Sequence, residues 1–204
     1  MARIVCPRCD MHPNICVCAD CEPVPNRQRV IVLQHPTEVG HAKGTVRVLR
    51  QCLEQLEVLV GDTRESFARQ GLEQMLSAGR TGLLFPAPDS QPVDSSAASN
   101  IDQWLVLDGT WRKAAKLLHL NPQLRQLPGF RFADPPESRY RIRKAPRAGQ
   151  LSTAEAVGHL LQAAEPELDT GPIFRAQEAL VNKLLAFVPV EHGGQADENS
   201  RPQY

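Results

Sequence analysis

Four short apolar runs recur along this chain, and a stretch of helical periodicity follows three of them. The runs are Val30 to Leu33, Val58 to Val60, Gly82 to Phe85 and Trp104 to Leu107. Runs of this length, closed by turn residues, suit strands buried on both faces. After the first, His35-Pro36 forces a turn and Gly44-Thr45 opens a helix. Val46, Leu49, Leu53 and Leu56 then recur at helical spacing. After the second, Gly61-Asp62 stops the strand, and Glu65 to Ala78 reads as one amphipathic helix with Phe67, Leu72, Met75 and Leu76 on its face. Arg112 to Leu118 follows the fourth run directly. Strands alternating with helices predict an α/β fold with a mainly parallel sheet covered on both faces. Further on, Arg139-Tyr-Arg-Ile-Arg143 alternates as a half-exposed strand does, and Ser152 to Ala164 and Ile173 to Val188 read as the last two helices. Ala87 to Asn100 reads as a loop with little to bury, closed at its start by Pro86. The 204 residues suffice for one core with a small appendage.

The appendage is written in cysteine. Five of the six cysteines lie between Cys6 and Cys21, and Cys52 falls on an apolar helix face as a small core residue. Cys6-x2-Cys9 and Cys16-x-Cys18 together offer four thiolates to a tetrahedral zinc ion, at Zn–S distances of about 2.3 Å. The segment has too few apolar residues to fold alone, so a metal would supply the missing free energy. The second pair is tighter than the usual spacing, which leaves Cys21 or His12 as alternative ligands. A four-cysteine site is closed to substrate, so the zinc is structural.

The run Trp104-Leu-Val-Leu-Asp108-Gly-Thr-Trp111 passes from strand to acid to helix within a few residues. Ligands collect at the carboxyl ends of strands in such folds. There Asp108 can accept a proton, bind a cation or orient a substrate; alternatively it caps the helix, with Trp111 in the core. Ser152-Thr-Ala-Glu155 is a capping-box pattern, whose functional version leaves free N–H groups facing a ligand. His35-Pro-Thr-Glu38 reads equally as a strand-end site or an ordinary turn.

Lys+Arg and Asp+Glu balance at 23 each, so net charge names no polyanion partner. Local charge does: Arg139, Arg141, Arg143, Lys144 and Arg147 stand close together with no acid among them. Phosphate contacts need such a patch and not a basic average. No apolar run approaches the roughly 20 residues of a membrane span, and no apolar signal segment opens the chain, so a cytoplasmic protein is expected. The tail after Val190 is polar and reads as disordered. The chain divides into a zinc module at 1–27, a main domain at 28–189 and a tail at 190–204.

Six motifs in order resemble a known family. They are Cys6-x2-Cys9-x6-Cys16-x-Cys18, His35-Pro-x-Glu38, Lys43-Gly-Thr, Asp108-x-Thr-Trp111, Ser138-x-Tyr140-x-x-Arg143-Lys144-x-Pro146 and Leu151-Ser-Thr-x-Glu155-Ala. Each alone is weak, but together they are similar to the DTW-domain proteins, the tRNA-uridine aminocarboxypropyltransferases, from about Cys6 to Val188. The loop after His41 reads Ala-Lys43-Gly-Thr45 where many members carry a Thr-Asn-Thr-Gly-like run.

The resemblance implies a SPOUT-like fold with a trefoil knot, which periodicity does not reveal. It implies S-adenosylmethionine as donor and tRNA as partner, with the 3-amino-3-carboxypropyl group moved to N3 of a variable-loop uridine. It implies no oligomeric state more definite than monomer or homodimer. On it, Asp108 becomes the base, Thr110 its orienting partner or the helix cap, and Trp111 a stacking surface. An ordinary Asp, of pKa about 3.9, is a poor base toward an imide N–H, and partial burial would raise its proton affinity. Leu83, Phe85, Pro86 and Leu107 would wall the adenosine on one side, and Tyr140, Ser152 and Thr153 on the other. His35, Lys43, Arg139, Arg143 and Lys144 would meet RNA, with Arg3, Arg8 and Arg27 adding a docking surface on the zinc module. Three rivals share these features. One is a SPOUT-type methyltransferase using the same donor, another a zinc-bearing RNA-binding protein without catalysis, and the third an enzyme acting on rRNA, against which the four-cysteine module points toward tRNA.

Overall fold

The computed structural model describes residues 4–142 and 150–186. Six strands form one sheet, all parallel: β1 (Arg29–Gln34), β2 (Leu56–Val60), β3 (Thr81–Leu84), β4 (Gln91–Pro92), β5 (Gln103–Asp108) and β6 (Gly129–Arg131). Their spatial order is β2-β1-β5-β3-β6-β4, so β5 enters between β1 and β3 and brings its acidic end to the middle of the sheet. The helices are α1 (Val46–Cys52), α2 (Arg64–Ala68), α3 (Leu72–Ser77), α4 (Trp111–Leu120), α5 (Thr153–Ala164) and α6 (Gly171–Leu185).

Alternation along the strands divides the core in two. Val30, Val32, Trp104, Val106 and Phe130 face a layer built with α1, α5 and α6. Ile31, Leu33, Leu83 and Leu105 face the other, with Phe67, Leu72 and Leu117 from α2, α3 and α4. Neighbouring residues of one strand thus enter opposite layers, the pattern expected of a sheet covered on both faces. The Trp104 indole is fully buried, and its N–H donates to Gln28 Oε1 at 2.7 Å. Buried Glu165 accepts from the backbone N–H groups of Arg27 and Gln28 and so fixes the approach to β1.

Gly82 makes room for that indole. A Cβ on Gly82 would stand 2.6 and 2.8 Å from Trp104 ring carbons and 3.0 Å from Phe130. Gly82→Ala is expected to cost about 1–3 kcal/mol through overpacking. Urea unfolding of the variant, at unchanged slope, measures this.

Several expectations are corrected. Glu65 to Ala78 is two helices, because Gly71 adopts φ +82° and ends the first. Leu56 begins β2 instead of extending α1, which ends at Cys52. The stretch from Ala87 to Asn100 is not bare loop: it carries β4 at the sheet edge and buries Val93 and Ala98. Residues 139–142 form no strand. Tyr140 and Ile142 are buried while Arg139 and Arg141 are exposed, so the alternation tracks burial without a ladder. Arg3, Arg143, Lys144, Arg147, part of the loop expected to carry the knot, the end of the last helix at Val188 and the tail after Val190 lie outside the described residues.

Candidate functional site

The carboxyl ends of β3, β5 and β6 open into a cavity of about 680 Å³. The loop after β1, from Glu38 to Thr45, and the first turns of α4 and α5 complete its walls. The fold therefore brings together Asp108, Thr110, Trp111, Phe85, Pro86, Leu107, Ser152, Thr153 and Lys43 from distant parts of the sequence. That is where a sheet of this kind places its ligands.

Asp108 is 6% exposed at the last position of β5, beside Gln34, its register partner at the end of β1. Gln34 Nε2 donates to Oδ2 at 2.9 Å and Thr153 Oγ1 donates to Oδ1 at 2.5 Å. The side-chain oxygens accept both, and have lone pairs to accept more. Gln34 and Thr153 thus both hold the acid in place. Thr110, assigned that task or the cap, serves as the cap: its hydroxyl accepts from Lys113 N–H at 3.4 Å.

Trp111 is not a core residue; it stands 46% exposed on the cavity wall. Its ring lies 5.7 Å from that of Phe85, tilted by 57°. The pair offers faces to a planar base or a cation. Trp111→Ala is expected to leave thermal stability nearly unchanged, since the indole is half in solvent. A stacked ring would lose about 1–3 kcal/mol of binding, read as a rise in KM for donor or RNA.

Three expected contacts do not reach the cavity. Leu83 points into the opposite core layer, below Leu84, which lines the site. Tyr140 is 2% exposed, packs with Ile142 and Val181, and donates its hydroxyl to the Lys43 carbonyl, so it braces the Lys43 loop from behind. His35 is buried and caps a short turn, with Nδ1 2.9 Å from Thr37 Oγ1, whereas Glu38 of the same motif does line the cavity. The start of α5 is likewise mostly occupied. Ala154 N–H donates to Thr45 Oγ1 and Glu155 N–H to Ser152 Oγ, so the structural capping box prevails over an anion site.

Charge on the rim comes partly from residues that periodicity did not single out. Lys113 pairs with Glu38 at 2.7 Å across the wall, and Arg131 lines the site beside Phe132. Arg139 is exposed, with its backbone N–H held by Glu155 Oε1 at 2.7 Å. Glu155 also accepts from Ser138 Oγ at 2.9 Å, so this one buried carboxylate ties the returning loop to α5. Glu155→Gln is expected to release that loop. Faster amide exchange over 138–140, with α5 still helical, is the check.

The four expected metal ligands form a separate centre. The sulfurs of Cys6, Cys9, Cys16 and Cys18 all lie within 4.8 Å of one another. Cys6 and Cys18 sulfurs are 3.9 Å apart and those of Cys9 and Cys16 3.7 Å. A tetrahedral zinc with Zn–S of about 2.3 Å sets S···S at ~3.8 Å, so the spacing fits a metal and is far too long for a disulfide. The backbone N–H groups of Arg8 and Cys9 face Cys6 and, with a hydrogen bond from Cys16, draw its thiol down to about 6. Burial pushes the Cys9 and Cys18 thiols up. A bound cation reverses that preference and takes all four as thiolates. Cys21 stands outside this cluster; it interacts with Cys52, which is buried as expected. His12 stands outside it too, and its Nδ1 accepts from Asn14 N–H.

The family model described as DTW domain matches residues 3–190. A tRNA-uridine aminocarboxypropyltransferase 2 of Drosophila melanogaster is 30% identical over 198 residues, 93% of this chain and 78% of the relative. One of the same name from Macaca fascicularis is 24% identical, over 95% of this chain and 66% of its own length. A tRNA-uridine aminocarboxypropyltransferase A of Arabidopsis thaliana is 27% identical, over 91% and 81% respectively. No solved structure matches the chain significantly.

Proposed function

The chain belongs to the DTW-domain family, and from that premise we propose that it moves the 3-amino-3-carboxypropyl group of S-adenosylmethionine to N3 of a variable-loop uridine in tRNA, releasing methylthioadenosine. The observation that carries the reading is Asp108, a buried acid that accepts from Gln34 and Thr153 and is set into a cavity with an aromatic wall.

S-adenosylmethionine supplies a sulfonium whose attached carbons are open to attack. Which group moves depends on which carbon the walls leave facing the uridine. Phe85 and Trp111 offer faces to the uracil, the adenine or the cationic sulfur. Asp108 takes the N3 proton. The bond from N3 to the γ-carbon forms as that carbon's bond to sulfur breaks, and the electron pair passes to sulfur. Gln34 and Thr153 hold the carboxylate through this exchange, so little reorganisation is needed at the moment of reaction. Holding the reacting atoms in line at roughly 3–3.5 Å supplies much of the remaining rate.

Lys43, Arg139, Arg143 and Lys144 are the proposed phosphate contacts; of these, Lys43 lines the cavity and Arg139 is exposed, while Arg143 and Lys144 lie outside the described residues. Residues 1–27 are the proposed zinc module and 28–189 the proposed transferase domain. Among the described residues no helix is long and apolar enough to cross a membrane. A cytoplasmic setting keeps the thiols reduced and supplies tRNA. Incubation with unmodified tRNA and S-adenosylmethionine is expected to yield methylthioadenosine. Adenosylhomocysteine in its place would make the protein a methyltransferase.

A further inference from the structure

A second cavity, of about 440 Å³, lies between the cysteine module and α1 and shares Glu38, His41 and Gly44 with the larger one. Arg47 forms part of its lining and is only 8% exposed. Its Nη2 donates to the Ala42 carbonyl at 2.7 Å, but Nε and Nη1 are buried with no partner among the described residues. Buried polar atoms in native proteins nearly always have partners, and the negative charge that faces Arg47 comes from the sulfurs of Cys9, Cys16 and Cys18, which favour its charged form against burial but make no hydrogen bond to Nε or Nη1. No carboxylate makes an ion pair with Arg47 among the described residues. Arg8 and Arg50 line the same cavity and are exposed. Arg8 is fixed there by Gln51, whose Oε1 accepts from Nη2 at 3.0 Å. The acids in the wall are Asp10 and Glu38, and Glu38 is already paired with Lys113.

We infer that this second cavity is an anion subsite for a backbone phosphate of the RNA, with Arg47 at its buried side and Arg8 and Arg50 toward solvent. The inference rests on the proposed function for the identity of the RNA. A guanidinium fork matches phosphate oxygens in pairs, and the shared wall sets such a phosphate next to the nucleotide whose base enters the larger cavity. Two exposed guanidiniums outside a buried one suit a polyanion that passes over the surface. A donor carboxylate would need only one. The arrangement also gives the cysteine module a part in substrate binding, because Arg8 sits in the Cys6-Pro-Arg-Cys9 turn that its metal would hold.

The test is a salt titration of unmodified tRNA binding to the full, metal-loaded chain and to Arg47→Gln and Arg50→Gln. Each variant is expected to flatten the dependence of log K on log salt by about 0.7–0.9 for every phosphate it no longer neutralises. Metal content and S-adenosylmethionine affinity should stay at the parental values. Parental slopes in both variants overturn the inference. So does weaker donor binding at unchanged slope, which would make Arg47 a donor-carboxylate residue. Loss of metal from Arg47→Gln with a parental slope in Arg50→Gln also overturns it, and leaves Arg47 a counter-charge to the thiolates. If Arg47→Gln does not fold, exposed Arg50→Gln decides alone. Methylthioadenosine formed by the parental chain, with slopes unchanged in the variants, defeats this inference and spares the function. Flattened slopes with no methylthioadenosine do the reverse, and a parental chain that binds no tRNA defeats both.

Discussion

Asp108→Asn is expected to slow aminocarboxypropyl transfer by about 10²–10⁴-fold, the range for loss of a positioned general base. The substitution keeps the shape of the side chain and removes its ability to take a proton. Its surroundings tolerate the change. Asp108 is 6% exposed, and two of the donors that hold it can adapt to an amide: a Gln34 amide, which can turn over, and a Thr153 hydroxyl, which can rotate. The folded structure and the metal content should therefore stay near parental, and the defect should fall on turnover. Thr153→Val is the companion variant. It leaves the acid in place without one of these donors, and a smaller loss is expected from it. Single-turnover kinetics at saturating donor and tRNA separate these outcomes. Full activity in a folded Asp108→Asn would remove the base from this account and leave the carboxylate as a helix-end acid.

Stripping the metal is the second large effect. The module buries few apolar groups of its own, chiefly Val17 and Val24. Its polar ties to the rest include Lys183 Nζ, which donates to the Cys16 carbonyl and pairs with Asp20, an exposed pair between Arg175 and Glu22, the exposed bond from Arg8 to Gln51, and the Arg27 backbone N–H held by Glu165. Exposed pairs contribute about 0–1 kcal/mol. Structural zinc in small fingers contributes about 10–16 kcal/mol in apparent terms, so a zinc bound at these four sulfurs would outweigh the exposed ties of this segment. A chelator is expected to remove one zinc per chain, abolish amide protection in the cysteine segment and lower the melting temperature. Turnover should fall with it. The module backs α1 through the bridge from Val24 to Leu53, and Thr45 at the head of α1 holds the start of α5 over the cavity. Cys16→Ser should reproduce the chelated state. A chain that carries no metal and is indifferent to the chelator would refute the four-thiolate centre.

The parts of this molecule that were legible in the sequence are those that local chemistry decides. β1 and β5 are continuous apolar runs closed by a proline turn and an acid, so their strand character and direction were plain. The caps of α4 and α5 are written in Thr110 and in Ser152 with Glu155. The cysteine spacing singled out the four sulfurs that the fold gathers, while leaving Cys21 and His12 open as alternatives. What failed was decided by tertiary packing. β4 and β6 have two and three residues, too few for any period to register. Gly71 broke a helix that apolar spacing alone would have continued. The segment at 139–142 buries alternate residues because Glu155 and Lys43 hold it, not because a neighbouring strand does. Arg47 is the clearest case. Val46, Arg47, Val48 and Leu49 are all buried at the head of α1, and no helical period would place the arginine inside. The meeting of Gln34, Asp108 and Thr153 was equally out of reach, since it depends on strand order.

The most direct test of the central claim uses unmodified tRNA and two preparations of S-adenosylmethionine. One is labelled in the methyl group, the other in the aminocarboxypropyl carbons, and the digested nucleosides are read by mass spectrometry. The account predicts label from the second preparation alone, on a uridine from the variable loop. Label from the methyl preparation alone would contradict it.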